Sequence, residues 1–446
     1  MKTHTIFGVC LLIISFLLVG IHLGYAQDEG STSIFTKFTE TFDGYVKNET
    51  AARLNEFDRF TKIENSLELK YSRRFGEHFG ATLTGLAVYD AVYDVEGDLK
   101  VEDEDDYRTY LELREAIVNM TFGNVDLSLG KQQVVWGKTD GFRVLDVVNP
   151  LDLKEFILAD FLDSRIPLWL GKIDYYFTPE FSLEALIIPD LRFTEPAQAG
   201  SEYAFAPPDF PPGIMPVITP VKEPDESFKN TEYGVQFTGL SKGWDFTLNY
   251  LYTWDDDPIM KTLLVRCADR CPGTLIISPE HERMHIVGGS FANVFWDTVV
   301  RGELAAHIGK YFAVDDLTVP EMVVEKTLLS YALALERKIF DISWTLQFLQ
   351  ETILDYEDAI TEDQTDTKFT LRGAKDFMNE TLNIVLFTVY GTNEGEFLIR
   401  PSVEYAITDS IKIKGGADIF AGGREDSLFG QFDKKDRLYV ELKYSF

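Results

Sequence analysis

Few residues in this chain are spaced for catalysis or for holding a metal. Gly137-Lys138-Thr139 has the ending of a phosphate-binding loop, but that pattern needs a glycine five positions earlier, where Gln132 stands. Asp94, Glu96, Gly97 and Asp98 begin like a calcium loop. Leu99 then occupies the sixth position, where the turn requires glycine. Cys267, Cys271, His281 and His285 have a spacing loosely like a zinc site. In an exported chain the stronger reading is a local disulfide between Cys267 and Cys271, so no metal is expected. Beyond the first 26 residues the histidines are His78, His281, His285 and His307, and no serine lies in a G-x-S-x-G elbow. Neither an enzyme nor a cofactor is expected.

The remaining chemistry is charge. The formal net charge is -31, from 73 acidic and 42 basic residues, which argues against nucleic acid as a partner because phosphates would be repelled. Acidic runs at Glu102 to Asp106, at Asp255 to Asp257 and from Asp355 to Asp366 fall in polar stretches. They read either as solvated loops or as sites bridged by divalent cations to lipopolysaccharide. With 45% hydrophobic residues the chain can still fold.

The elements that position these charges start at the N-terminus. Lys2, the apolar stretch Ile6 to Val19 and the small-x-small site Gly24-Tyr25-Ala26 predict a signal peptide over 1-26. The stretch is too short for a membrane anchor, since about 20 residues are needed to span. A periplasmic segment is expected over 27-37 and a barrel over 38-446. At the other end Leu438, Val440, Leu442, Tyr444 and Phe446 alternate with Arg437, Tyr439, Glu441, Lys443 and Ser445. A final strand closing on phenylalanine resembles the signal that barrel-assembly machinery reads, carried here by Val440, Leu442, Tyr444 and Phe446.

Period-two alternation recurs between these ends, as in Trp244, Phe246, Leu248, Tyr250, Tyr252 and Trp254. Short turns near 76-78, 122-124, 178-180, 240-243, 296-298, 339-341, 376-380 and 407-410 alternate with long polar loops. The long ones fall near 49-60, 90-106, 135-166, 190-229, 255-282, 313-324, 354-366, 391-395 and 421-434. This rhythm predicts an all-β, antiparallel up-and-down barrel in the bacterial outer membrane, with about 18 strands and 16 as the alternative. Taking the polar parity of each strand as the lumen side places Arg283, His285, Arg301, Glu303, His307, Arg372, Arg400, Glu404, Lys412 and Lys414 on the pore wall, a mixed surface with a slight basic excess.

The third long loop, 135-166, carries unusual apolar content. Asn149 can cap a helix, Pro150 suits its first position, and Leu153, Phe156, Ile157 and Phe161 would share one face. Such a loop is expected to fold into the lumen, with a lid over the mouth as the alternative. Folded inward, it would present Lys138, Arg143 and Arg165 to a constriction.

Gly130-Lys131-Gln132-Gln133-Val134-Val135-Trp136-Gly137 followed by Asn149-Pro150-Leu151-Asp152 resembles a family of uncharacterised bacterial outer-membrane proteins. Its members are often encoded near RND-type exporters and envelope lipid-handling proteins. Two functions are therefore expected to compete. One is passive diffusion of small hydrophilic solutes through a mixed-charge lumen; the other is docking to an exporter or lipid-transfer system with little conductance. Expected partners are outer-membrane lipid, lipopolysaccharide and the assembly machinery; the oligomeric state stays open.

Overall fold

A computed structural model describes residues 42–446 apart from 58, 98, 102, 140, 161–162, 207–209, 211–213 and 266–272. The predicted signal peptide, the 27-37 segment, Phe161 and the Cys267–Cys271 pair lie outside the described residues. Eighteen strands form one sheet. In chain order they are β1 (Asp43–Arg53), β2 (Phe60–Phe75), β3 (Phe79–Asp90), β4 (Thr109–Phe122), β5 (Val125–Gln132), β6 (Leu168–Thr178), β7 (Phe181–Ile188), β8 (Glu232–Ser241), β9 (Trp244–Trp254), β10 (Arg283–Phe295), β11 (Thr298–Ala313), β12 (Val323–Ile339), β13 (Ile342–Ile353), β14 (Thr365–Phe377), β15 (Leu382–Gly391), β16 (Glu396–Ala406), β17 (Ile411–Gly422) and β18 (Arg437–Ser445). Each pairs antiparallel with the next, and β1 pairs with β18 from Tyr45↔Ser445 to Arg53↔Arg437, which closes the sheet into a barrel. Gly44 and Phe446 exchange both backbone hydrogen bonds at 3.0 Å and extend that seam to the last residue.

Eight tight turns lie at one end of the barrel and nine longer loops at the other. Three of the tight turns have two central residues with positive φ: Lys242-Gly243, Trp296-Asp297 and Phe340-Asp341. This is the turn whose twist matches two right-twisted strands, and it sets the register of each hairpin. By the short-turn, long-loop asymmetry of such barrels, the tight turns face the periplasm. Trp296 and Phe340 are almost fully exposed there, as rings at a lipid–water interface should be.

The outer face is apolar. Leu304, Leu333, Leu335, Leu346, Leu371 and Phe369 are all exposed, and cross-strand register joins them, as in Leu335↔Leu346↔Leu371. The opposite parity of the same strands carries buried Thr345, Gln347 and Thr370. Water would reject that outward belt, and hydrocarbon accepts it. Among the described residues no helix is long and apolar enough to cross a membrane, so the strands do the crossing. Above the rim, Ile214–Ile218 pairs in parallel with Gly273–Glu280, which pairs antiparallel with Ile259–Val265.

Leu346→Arg is expected to lower the free energy of folding into phospholipid vesicles by about 2–4 kcal/mol, the cost of a cation near the midplane of a barrel wall. Leu346→Phe, which keeps the apolar face, is expected to cost less than about 1.5 kcal/mol. Equal urea midpoints for the two variants would mean that Leu346 does not face lipid.

Candidate functional site

The lumen is organised by the third long loop, and the loop is organised by one asparagine. Asn149 is fully buried. Its Oδ1 accepts the Val134 N–H at 2.8 Å, while its Nδ2 donates to the Ile166 carbonyl at 2.8 Å. The entering and leaving backbones are thus clipped together. The predicted helix does not form: Asp152–Leu153 makes a two-residue parallel pairing with Glu195–Pro196, and Phe156 takes a φ of 54°. An asparagine holding two separate backbone segments cannot also cap a helix. Arg165 forms a buried ion pair with Asp146 at 2.7 Å, both side chains being 2% exposed. Arg143 donates to the carbonyls of Asn149, at 2.5 Å, and Asp146. Arg143 and Arg165 therefore satisfy the loop's own interior and do not present charge to a constriction. Lys138 reaches Asp245 on β9 at 2.9 Å.

One half of the loop packs against the inner wall. Val134, Trp136, Val144, Leu145 and Val148 form a single core with Leu168, Leu170, Leu186, Ile188, Leu251, Met284, Ile286, Ala305, Ala332 and Leu349, which point inward from β6 to β13. Two wall glycines leave the space this needs. A Cβ on Gly288 would come within 2.5 Å of Leu145, and one on Gly234 within 2.8 Å of Trp136. Polar ends are matched too: Trp136 Nε1 donates to Glu184 at 2.6 Å. Glu303, nearly buried, accepts the Leu145 N–H at 3.1 Å and the Lys138 N–H. Arg301 donates to the Lys138 carbonyl at 3.0 Å.

The loop's other half meets the far wall. Phe156 and Leu158 join Val389, Leu398 and Phe420 of β15 to β17, with Tyr203, Phe429 and Phe432 arriving from other loops. Beside this core, Glu155 lies 2.5 Å from Lys62 on β2 and 3.4 Å from Arg437 on β18. Arg437 also pairs with Asp418 at 2.7 Å, and Arg400 holds the other Asp418 oxygen at 2.6 Å while donating to the Leu158 carbonyl at 2.8 Å. Charges this deep persist only when paired and hydrogen-bonded. The loop thus crosses the lumen and is fastened at both ends.

A cleft remains between residues 152–164 and the wall of β1 to β4 and β16 to β18. Its lining holds seven cations (Lys47, Lys62, Arg114, Lys154, Arg400, Lys414 and Arg437). Against them stand eleven carboxylates (Glu49, Glu64, Asp90, Asp106, Glu112, Asp152, Glu155, Asp160, Asp163, Glu202 and Glu441). Burial pushes the Asp152 carboxyl above the usual carboxylate range, and Lys154 at 3.6 Å offsets part of that rise. Among the described residues no His, Cys, Asp and Glu cluster could hold a metal.

Of the residues assigned to the pore wall by parity, Arg301, Glu303, His307, Arg372, Arg400, Glu404, Lys412 and Lys414 share the inward face. Arg283 and His285 do not. They are in register with Trp254 and Tyr252 on the lipid-facing side of β9, while Met284, Ile286 and Ser290 point inward. The polar-inside rule fails here because this stretch of wall supports an apolar loop rather than water. Parity also passed over Lys62, Glu155 and Asn149, whose partners are distant in sequence. Val440, Leu442 and Tyr444 lie on the outward face of β18, in register with Gly415, Ile413 and Ile411.

In comparison with known proteins, the family described as Protein of unknown function (DUF1302) matches residues 27–327. No curated protein matches the chain. Solved structures do. The outer membrane protein opdK from Pseudomonas aeruginosa is 8% identical with a TM-score of 0.51, covering 91% of this chain and 98% of its own. OccAB4 from Acinetobacter baumannii is 11% identical with a TM-score of 0.50, at coverages of 91% and 98%. OccK2 (OpdF) from P. aeruginosa, in complex with glucuronate, is 10% identical with a TM-score of 0.50, at 91% and 97%. At such identities the likeness is one of fold, that of an outer-membrane barrel.

Asn149→Ala leaves the buried Val134 N–H and Ile166 carbonyl unpartnered, at about 1–3 kcal/mol each. The Val134 amide is expected to exchange with solvent at least about tenfold faster, while amides of β12 keep their rates. Unchanged exchange at Val134 would show that the loop is held without this clip.

Proposed function

The chain belongs to the DUF1302 family, and we propose that it is an outer-membrane channel for passive diffusion of small hydrophilic solutes. The observation that carries this reading is the cleft. The third loop fills one side of the lumen with an apolar core yet leaves the opposite side lined with charge. A surface of that polarity is costly in a sealed interior and natural around water. The lumen is of mixed charge, as a diffusion pathway for varied solutes would be. Its carboxylate excess, concentrated by low-dielectric walls, favours cations over anions. This reverses the preference that a constriction of Lys138, Arg143 and Arg165 would impose, because Arg165 is paired with Asp146 and Arg143 is turned onto the loop's own carbonyls.

Single-channel recording in planar bilayers tests the proposal. Purified protein is expected to give steady conductance steps whose reversal potential in a salt gradient has the sign of cation preference. Asp160→Asn, Asp163→Asn and Glu441→Gln together are expected to move that potential toward zero. Replacing residues 154–160 by a short glycine–serine segment should raise the conductance. Protein that inserts fully folded and passes no current would overturn the channel reading.

A further inference from the structure

Arg283 and His285 pose a question the channel does not answer: what are an arginine and a histidine doing on the outside of the wall? Both residues lie at the extracellular end of the hairpin, since Trp254 ends β9 and Arg283 begins β10. This is the height of the outer-leaflet headgroups. The Arg283 guanidinium sits 4.6 Å from the Tyr252 ring centroid and 4.4 Å from that of Trp254, and donates to the Thr231 carbonyl at 3.2 Å. His285 is exposed, and its Nδ1 is 3.0 Å from the Tyr250 hydroxyl. Trp254 Nε1 donates to the Asn230 carbonyl at 3.1 Å, which draws the segment bearing exposed Lys229 against the same patch.

Several inward cations are ion-paired, although among the described residues Arg372 and Lys414 on the inner face are not; the patch differs in facing lipid. The inward cations Lys62, Lys172, Arg301, Arg400 and Arg437 each have a carboxylate within 4 Å. Among the described residues no carboxylate forms an ion pair with Lys229, Arg283 or His285. A chain of net charge -31 thus leaves three basic side chains without an ion pair, beside the lipid-facing surface and within an aromatic frame. The carboxylate that acts on Arg283 from farther off, Glu232, is buried and accepts from the Thr253 hydroxyl and the Trp254 N–H. Stacking on two rings orients the guanidinium and shields it from hydrocarbon without neutralising it. An anion from outside the protein can therefore pair with the patch, and at that height headgroup phosphates are the available ones.

We propose that Lys229, Arg283 and His285, framed by Tyr250, Tyr252 and Trp254, form a docking site for the phosphorylated sugar headgroup of an outer-leaflet glycolipid. Arginine and lysine supply charge-assisted hydrogen bonds to the phosphate oxygens. The tyrosine and tryptophan rings sit where the sugar and the first acyl carbons meet. The site is independent of the lumen, so it holds whatever the barrel conducts.

The test uses the full-length barrel in phosphatidylcholine vesicles doped with a minor fraction of bisphosphorylated lipid A, of its dephosphorylated form, or of phosphatidylglycerol. Lipid retained after mild detergent extraction is counted by native mass spectrometry. Wild-type protein is expected to retain the bisphosphorylated glycolipid and to release the other two. Lys229→Gln with Arg283→Gln is expected to cut retention by about tenfold, the loss of roughly 1.4 kcal/mol, while Lys412→Gln inside the lumen leaves it unchanged. Heat-modifiable migration on gels verifies that each variant is folded. Equal retention of all three lipids by wild type, retention of phosphatidylglycerol as strong as that of lipid A, or undiminished retention in the folded double variant would each overturn the proposal.

Discussion

Backbone polar groups have no partner in hydrocarbon, so a sheet that crosses a membrane must leave no edge. Every other feature of this protein depends on that closure. It is made by β1 and β18, paired over nine positions and extended by the mutual hydrogen bonds of Gly44 and Phe446. The first and last strands therefore have to end on the same side. That requires an even number of strands, and it puts the tight turns together at one rim and the long loops at the other. The outward belt of leucine and phenylalanine is stable only because the sheet it covers is closed.

Closure around 18 strands leaves a wide interior, and the protein fills only part of it. From β6 to β13 the inner wall is apolar and receives Trp136, Leu145 and Val148, while Gly234 and Gly288 stand back to admit them. From β15 round to β2 the wall sets charges beside a smaller apolar core and holds the loop through Phe156, Glu155 and the Arg400–Asp418–Arg437 chain. One face therefore behaves as a protein core and the other as a wetted surface. A loop secured by an apolar core and by ion pairs at both ends is a rigid partition rather than a swinging lid. Removing one member of a buried ion pair strands the other, at about 3–5 kcal/mol, so the fastening resists piecemeal loss.

The same division explains the charge pattern. Inside, the cations that fasten the loop are paired with carboxylates because each is partly withdrawn from water, within a lining where carboxylates are in excess. Outside, at the headgroup level, Arg283 has rings beside it and, among the described residues, no ion pair, in keeping with the headgroup contact proposed for it. Two arginines of similar burial, Arg283 and Arg400, thus have opposite surroundings, decided by which side of the wall they face.

Much of this architecture is local, and the sequence by itself determined it. Turn spacing, the alternation in stretches such as Ile342 to Phe348, and the terminal run ending on Phe446 depend on residues adjacent in the chain. They pointed to the barrel, to about 18 strands with 16 still open, and to the lipid-facing side of most strands; closure of the sheet decided for 18. What the tertiary structure alone decided rests on contacts between distant residues. Glu155 meets Arg437 from 282 positions away, and no periodicity records that encounter. Asn149 has the residue type and neighbours of a helix cap, and became a clip because Val134 and Ile166 were brought to it. Arg283 and His285 look like lumen residues under a rule that assumes water inside every strand. That rule gives way at this end of β10, where Met284 and Ile286 face the loop's apolar core and the alternate positions, Arg283 and His285, turn outward.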